Sequence, residues 1–140
     1  MALSWVERTD GKNITMVTNP LDNRAFPSPD ALSALESIDE TIHQKVRLGI
    51  MSTLLALGET DFKYLKETLA LSDGNLSTHL ALLEERGYIH AHKEFVRRKP
   101  RTTYTPTEEG RVAFQNYLVT LERIIRAAER SAMEPQKPKE

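Results

Sequence analysis

The stretch LSDGNLSTHLALLEERGYI, residues 71–89, decides the fold of this chain. It opens with small polar residues, continues with leucines three and four positions apart, and ends at Gly87 before an aromatic residue. This spacing predicts a helix that buries its leucine face, begins at a Ser72 or Asp73 cap, and stops at the glycine. A core helix alone gives no reason for the polar cluster in its first turns.

Helices are also predicted before this stretch, the first beginning near Pro29. Residues 40–57, ETIHQKVRLGIMSTLLAL, carry apolar side chains on two faces, which is typical of a central helix packed on both sides. Residues 59–71, ETDFKYLKETLAL, place apolar residues at i, i+3 and i+7 behind a cap at Thr60 or Asp61. A short turn then leads into the leucine helix, which gives the helix-turn-helix arrangement.

The helix-turn-helix arrangement explains the polar cluster. Its second helix enters the DNA major groove, and the residues at its N-terminal end reach base edges. Short polar side chains there hydrogen-bond bases or phosphates, and the free N–H groups of the first turn favour a phosphate. Taken alone, a polar helix start is equally well explained as a capping signal. The candidate DNA-reading residues are Asp73, Asn75, Ser77, Thr78 and His79.

A basic hairpin is predicted directly after this helix. Residues 88–95, YIHAHKEF, alternate as a strand, VRRKPR forms a turn, and TTYTP is a return strand that Pro106 stops. Residues 93–101 hold five basic residues against one acidic residue, a local balance of +4 in a chain of net charge −1. A basic run alone is usually a solvated loop, but beside a DNA-reading helix it indicates a DNA-binding wing. The candidate wing contacts are Lys93, Arg97, Arg98, Lys99 and Arg101.

The last predicted element is one long helix over residues 107–132, capped by Thr107. A stripe of apolar residues runs along it at spacings of three and four. Because so small a domain cannot easily bury so long a helix, the stripe favours a dimer interface; the alternative is that it packs on its own core. The stripe consists of Phe114, Tyr117, Leu118, Leu121, Ile124, Ile125 and Ala128.

Composition narrows the remaining possibilities. The chain has 140 residues and no cysteine, which excludes disulfides and thiolate metal sites. No nucleophile–base–acid set and no glycine-rich phosphate loop is present, so we predict no enzyme and no cofactor. His90 and His92 share a strand face, but two histidines without a third ligand favour a polar surface over a metal site. No secretion signal or membrane span is recognisable, so we expect a cytoplasmic protein.

The segments 71–89 and KEFVRRKPRTTYTPTEEGR, followed by a long helix, resemble the winged helix-turn-helix transcriptional regulators of the MarR/ArsR-like superfamily. The resemblance covers roughly residues 40–128. It implies a three-helix core with a β-wing, a recognition helix at 73–86, a wing at 96–101, and a dimer on a pseudo-palindromic operator. The chain departs from the thiolate metal sensors of that superfamily, since it has no cysteines, and its first 30 or so residues fall outside the shared pattern.

We therefore predict a mainly α fold with a small β-hairpin, a winged helix-turn-helix with a long C-terminal dimerisation helix. Residues 1–29 form an irregular arm that either docks or stays unstructured, 30–106 the DNA-binding domain, 107–132 the dimerisation helix, and 133–140 a polar tail. The expected partners are double-stranded DNA and a second copy, an unidentified small-molecule effector is left open, and no membrane is involved. The alternative function is a winged-helix protein-interaction module in a larger assembly.

Overall fold

A computed structural model describes residues 28–133 of the chain. The predicted arm therefore lies outside the described residues except for Ser28 and Pro29, and the predicted tail lies outside them except for Met133. Helices dominate, and one small antiparallel sheet accompanies them, which confirms the predicted fold class. The elements are α1 (Pro29–Glu36), α2 (Lys45–Leu57), β1 (Thr60–Asp61), α3 (Phe62–Leu69), α4 (Asp73–Glu85), β2 (Ile89–Val96), β3 (Lys99–Pro106) and α5 (Glu108–Met133).

The described residues fall into two compact units. The larger, residues 38–119, holds α2 to β3 and the first part of α5. The smaller consists of residues 28–37 with 120–133. In it, Ser28 caps α1 by accepting a bond from the N–H of Ala31, and Arg123 of α5 forms an ion pair with Asp30 at 2.8 Å. Between residues 28 and 133, no helix is both long and apolar enough to cross a bilayer.

Helix α2 begins later than the sequence predicts, at Lys45 and not near residue 40. Asp39 causes the delay, because its Oδ1 accepts a hydrogen bond from the N–H of Thr41 at 2.9 Å and holds the chain in a turn. Gln44 then caps the helix with its side-chain oxygen. Ile42, which was predicted on the helix face, is fully buried from the turn instead.

The two helices of the predicted helix-turn-helix are α3 and α4, and both are confirmed. Ala70 ends α3 in the left-handed region, with φ at 55°. Ser72 caps α4 by accepting a bond from the N–H of Asn75 at 3.1 Å. The leucine face of α4 is buried in the core, as its spacing predicts; its members are Leu76, Leu80 and Leu83.

The sheet differs from the prediction in two ways. Its strand order is β1-β3-β2. Strand β1 was not predicted, because two residues are too few to show an apolar–polar alternation and they pair only with distant Tyr104 and Thr103. The return strand β3 starts at Lys99, so the predicted six-residue turn is wrong and only two residues connect the strands. Pro100 fits in β3 because it lies beyond β1, where that strand is paired on one side only.

The start of α5 is tied to the turn that follows α4. Thr107 caps α5 by accepting a bond from the N–H of Gly110 at 2.9 Å, as predicted, and its hydroxyl donates to the carbonyl of Gly87 at 2.6 Å. The N–H of Thr107 also donates to the carbonyl of Tyr88 at 3.0 Å. These three bonds fix the direction in which α5 leaves the sheet.

Candidate nucleic-acid interface

The polar cluster of α4 lies at the start of the helix, and most of it is exposed. Asp73, Asn75, Ser77 and Thr78 are exposed, whereas His79 is half-buried at the edge of the apolar face. The structure therefore leaves four of the five predicted DNA-reading residues accessible in the first turns of α4. The fifth, His79, is reached by a side chain from another helix.

These exposed side chains differ in what they can offer a ligand. Asp73 forms an ion pair with Lys66 at 2.8 Å, which balances a negative charge that would otherwise repel a phosphate. The hydroxyl of Thr78 donates to the carbonyl of Gly74 at 2.9 Å, so it presents lone pairs and a methyl group. Within residues 28–133, the side chains of Asn75 and Ser77 make no hydrogen bond, which leaves both free to donate and accept.

His79 is held by Arg47 of α2. The guanidinium Nη1 of Arg47 lies 3.0 Å from the ring Nδ1 of His79. Burial lowers the pKa of His79 below its ordinary value of 6.5, and the positive charge of Arg47 lowers it further. The lowered pKa of His79 therefore favours the neutral ring at physiological pH.

The tip of the hairpin consists of two arginines in an unusual backbone conformation. Arg97 and Arg98 have φ angles of 56° and 69°, both in the left-handed region. A two-residue hairpin turn requires positive φ at both positions, and asparagine followed by glycine is the common solution. The left-handed conformation is unfavourable for arginine, which has a Cβ atom. The turn therefore holds two cations at an exposed tip at a cost in backbone energy.

The other three basic residues of the predicted wing are not equivalent. Lys93 and Lys99 are exposed on the two strands. Arg101 forms an ion pair with Asp61 of β1 at 3.3 Å, near the base of the sheet. Three exposed cations, Arg97, Arg98 and Lys99, therefore lie at the tip of the hairpin, Lys93 lies further along β2, and Arg101 is engaged by the neighbouring strand.

Phe95 was not identified by the sequence reasoning. It is 76% exposed and lies opposite Pro100 in the strand register, one residue from the last position of β2. An exposed aromatic ring beside a cluster of cations is unusual on a solvated loop, because large apolar side chains there are normally minimised. The signal available in the sequence was the single aromatic residue inside the basic run 93–101.

The predicted dimer stripe on α5 divides into buried and exposed members. Tyr117 is 2% exposed, and its hydroxyl lies 2.8 Å from Nδ1 of His43, so it packs within its own chain. Burial also raises the pKa of Tyr117. Leu118 and Ile125 are 48% and 53% exposed. The half-buried members are Phe114, Leu121, Ile124 and Ala128.

The predicted histidine pair and one surface cavity complete the description of the candidate sites. His90 and His92 are exposed, and between residues 28 and 133 no group of three or more His, Asp or Glu side chains could hold an ion. A shallow cavity of about 250 Å³ opens beside β1 and contains the Asp61–Arg101 ion pair. Its lining is Leu57, Glu59, Thr60, Asp61, Tyr64 and Arg101.

Comparison with known proteins identifies this arrangement. Residues 46–125, from α2 into α5, match the family described as winged helix DNA-binding domain. The chain belongs to this family. An uncharacterized protein of Methanocaldococcus jannaschii is 44% identical over 73 residues, which is 52% of this chain and 79% of that protein.

Solved structures agree with the family assignment. A transcriptional regulator homologue from Pyrococcus horikoshii OT3 is 28% identical, with a TM-score of 0.65 over 73% of this chain and 99% of that chain. A putative MarR-family regulator from Enterococcus faecalis V583, 24% identical, shares the fold with a TM-score of 0.57 over 79% and 98% of the two chains. The predicted winged-helix family is thereby confirmed, with a transcriptional regulator homologue among the proteins to which the chain is similar, and the Enterococcus structure agrees with it in fold.

Proposed function

We propose that this winged-helix protein is a sequence-specific transcriptional regulator that binds an inverted-repeat operator as a homodimer. The observation that carries the proposal is the concentration of exposed cations at the tip of the hairpin, in the same compact unit as the exposed polar residues of α4. In a chain of net charge −1, a local concentration of positive charge favours binding to a polyanion. Duplex DNA is the polyanion that a winged helix binds in this family.

The two surfaces have different tasks in this proposal. Arg97, Arg98 and Lys99 contact phosphates or enter the minor groove, which supplies affinity without sequence choice. Helix α4 supplies the choice through its exposed first turns. Asn75 can pair with an adenine edge, and the methyl group of Thr78 suits the methyl group of thymine. Asp73 contributes less, because Lys66 already engages it.

Phe95 adds an apolar component to the wing contact. Side chains of this type pack against deoxyribose or insert between base steps in the minor groove. Phe95 and its cross-strand neighbour Pro100 lie beside the cations that would hold them against the DNA backbone. We therefore count Phe95 with the wing contacts, in place of Arg101.

The dimer is supported by α5. It is 26 residues long, and Leu118 and Ile125, which lie two turns apart on one face, are about half exposed. Large apolar side chains repeated at this spacing are typical of a helix that buries them against a partner. A two-fold dimer would present two α4 helices to successive turns of DNA, about 34 Å apart. In this division residues 30–106 bind DNA and α5 joins the subunits.

The wing can be tested by the salt dependence of DNA binding. Replacing Arg97 and Arg98 with alanine should weaken binding to all sequences and reduce the slope of log K against log salt by about two per subunit, one for each lost phosphate contact. Arg101→Ala is the matched control, since its ion pair with Asp61 predicts a smaller change. An unchanged slope in the double variant would remove the wing from the DNA interface.

A further inference from the structure

Arg47 makes a three-way contact that links α2 to the DNA-reading helix. Its Nε donates to the carbonyl of Thr41, and its Nη2 lies 3.4 Å from the carbonyl of Glu40, both in the turn before α2. Its Nη1 lies 3.0 Å from Nδ1 of His79 on α4. The guanidinium is planar and its N–H groups form a rigid fork, so anchoring two of its nitrogens to the turn fixes the direction of the third.

This contact determines which nitrogen of His79 carries the proton. A guanidinium has donors only, so the ring nitrogen that faces it must be an acceptor. Nδ1 is therefore unprotonated, and the proton of the neutral ring lies on Nε2. Between residues 28 and 133 no other hydrogen bond reaches this ring, which leaves the Nε2–H group without a protein acceptor.

The position of His79 on α4 makes this donor relevant to DNA. His79 is one helical turn after Asn75, and the two lie on neighbouring positions at the edge of the exposed polar face. A neutral Nε2–H can donate to guanine O6 or N7, to adenine N7, to thymine O4, or to a phosphate oxygen. The ring cannot accept a hydrogen bond from the amino groups of adenine or cytosine, because Nε2 carries a proton and Nδ1 already accepts from Arg47.

We propose that Arg47 is a positioning residue that fixes His79 as a hydrogen-bond donor at Nε2. At this position α4 can then hydrogen-bond only to acceptor atoms of DNA. The proposal rests on the DNA-binding function proposed above and adds a specificity-determining pair to it. Arg47 itself does not contact DNA in this account, since its nitrogens are engaged within the protein.

The first test needs no DNA. Long-range ¹H–¹⁵N spectra of the labelled full chain at pH 7.5 report which ring nitrogen of His79 is protonated. We expect the Nε2–H tautomer alone in the wild type and a measurable Nδ1–H population in Arg47→Met. A mixture of tautomers in the wild type, or an unchanged single tautomer in Arg47→Met, would overturn the proposal. Arg111→Met, an exposed arginine on α5, is the control for loss of one positive charge.

The second test measures selection from random duplex DNA by the wild type, His79→Gln and Arg47→Lys. Glutamine can donate or accept, and lysine keeps the charge but loses the fork. If His79 faces a base, the preference for one base over the others at one base pair per half-site should fall about tenfold in both variants. If His79 faces a phosphate, both variants should keep their preferences, and Arg47→Lys should bind every sequence about equally more weakly, whereas glutamine retains a donor. Unchanged affinity and unchanged selection in both variants would overturn the proposal.

The two tests separate the inference from the function on which it rests. His79→Gln leaves the contacts of Arg47 with the turn intact, so the proposal remains testable if an Arg47 variant fails to fold. A wild-type protein that shows the single tautomer but selects no DNA would refute the proposed function, and with it the DNA role of His79. A wild-type protein that selects DNA but shows mixed tautomers would refute only the role of Arg47.

Discussion

At the scale of single residues, Arg97 and Arg98 are where the fold and the proposed function conflict. Both hold the left-handed backbone that a two-residue turn demands, at a cost of about 1 kcal/mol each. Asparagine followed by glycine would suit the backbone better but would remove both charges. Strain retained at an exposed tip is typical of a site kept for binding.

We therefore predict that Arg97→Asn combined with Arg98→Gly stabilises the hairpin and weakens DNA binding together. Relief of about 1–2 kcal/mol should slow hydrogen exchange of the amides that pair β2 with β3 by roughly fivefold or more. The same variant should lose affinity for duplex DNA at low salt. Faster exchange would mean that the arginines stabilise the turn by contacts that the backbone angles do not reveal.

The lowered pKa of His79 predicts that the stability of the chain depends on pH. Its pKa in the folded chain lies below 6.5, so between the two values the unfolded chain binds a proton that the folded chain does not. The free energy of unfolding should therefore be fully retained above pH 6.5 and should fall as the pH drops below it. The effect should be small, because the ring is only partly buried.

The measurement is the urea midpoint of the wild type and of His79→Gln at pH 7.5 and pH 5.5. The wild type should lose more stability between the two values than the variant, since the other histidines are common to both. A variant that loses as much as the wild type would show that His79 titrates normally in the folded chain.

At the scale of elements, the junction between α4 and α5 depends on Gly110. A side chain at this position would collide with the backbone of Tyr88, to which the start of α5 is hydrogen-bonded. Gly110→Ala should lower the free energy of unfolding by about 1–3 kcal/mol, as in other overpacked sites. Gly74→Ala is the matched control, because nothing lies near that position in α4 and alanine should stabilise the helix by about 0.5–1 kcal/mol. Equal effects of the two changes in urea denaturation would contradict this packing.

Some of these elements could be predicted from the sequence, and others could not. Helices with a clear apolar period and a side-chain cap were predictable, because period and cap are local; Ser72 and Thr107 cap where expected. Strand β1 was not, since two residues acquire their conformation only by pairing with distant β3. The sequence located the basic residues of the hairpin but could not show that Arg101 is engaged by Asp61 or that Phe95 is exposed. Those contacts depend on tertiary structure.

At the scale of the whole molecule, the proposed dimer predicts an effect of charge on α5. Leu118→Glu combined with Ile125→Glu should convert the dimer to a monomer in light scattering, because two buried carboxylates per subunit cannot be solvated in an interface. Gln115→Glu with Asn116→Asp adds the same charge at exposed polar positions of α5 and should leave the mass unchanged. A wild-type protein that is monomeric at micromolar concentration would remove the dimer from the account.

In the proposed function, this winged-helix protein reads duplex DNA as a two-fold dimer. The most direct measurement is selection from a pool of random duplexes at two salt concentrations, with the molar mass of the complex recorded alongside. We expect enrichment of an inverted repeat whose half-sites lie about one helical turn apart, bound by two chains with steep salt dependence. Weak, unselective binding, with affinity in the range of about 10⁻⁴–10⁻⁶ M, would contradict it and favour a protein-interaction module.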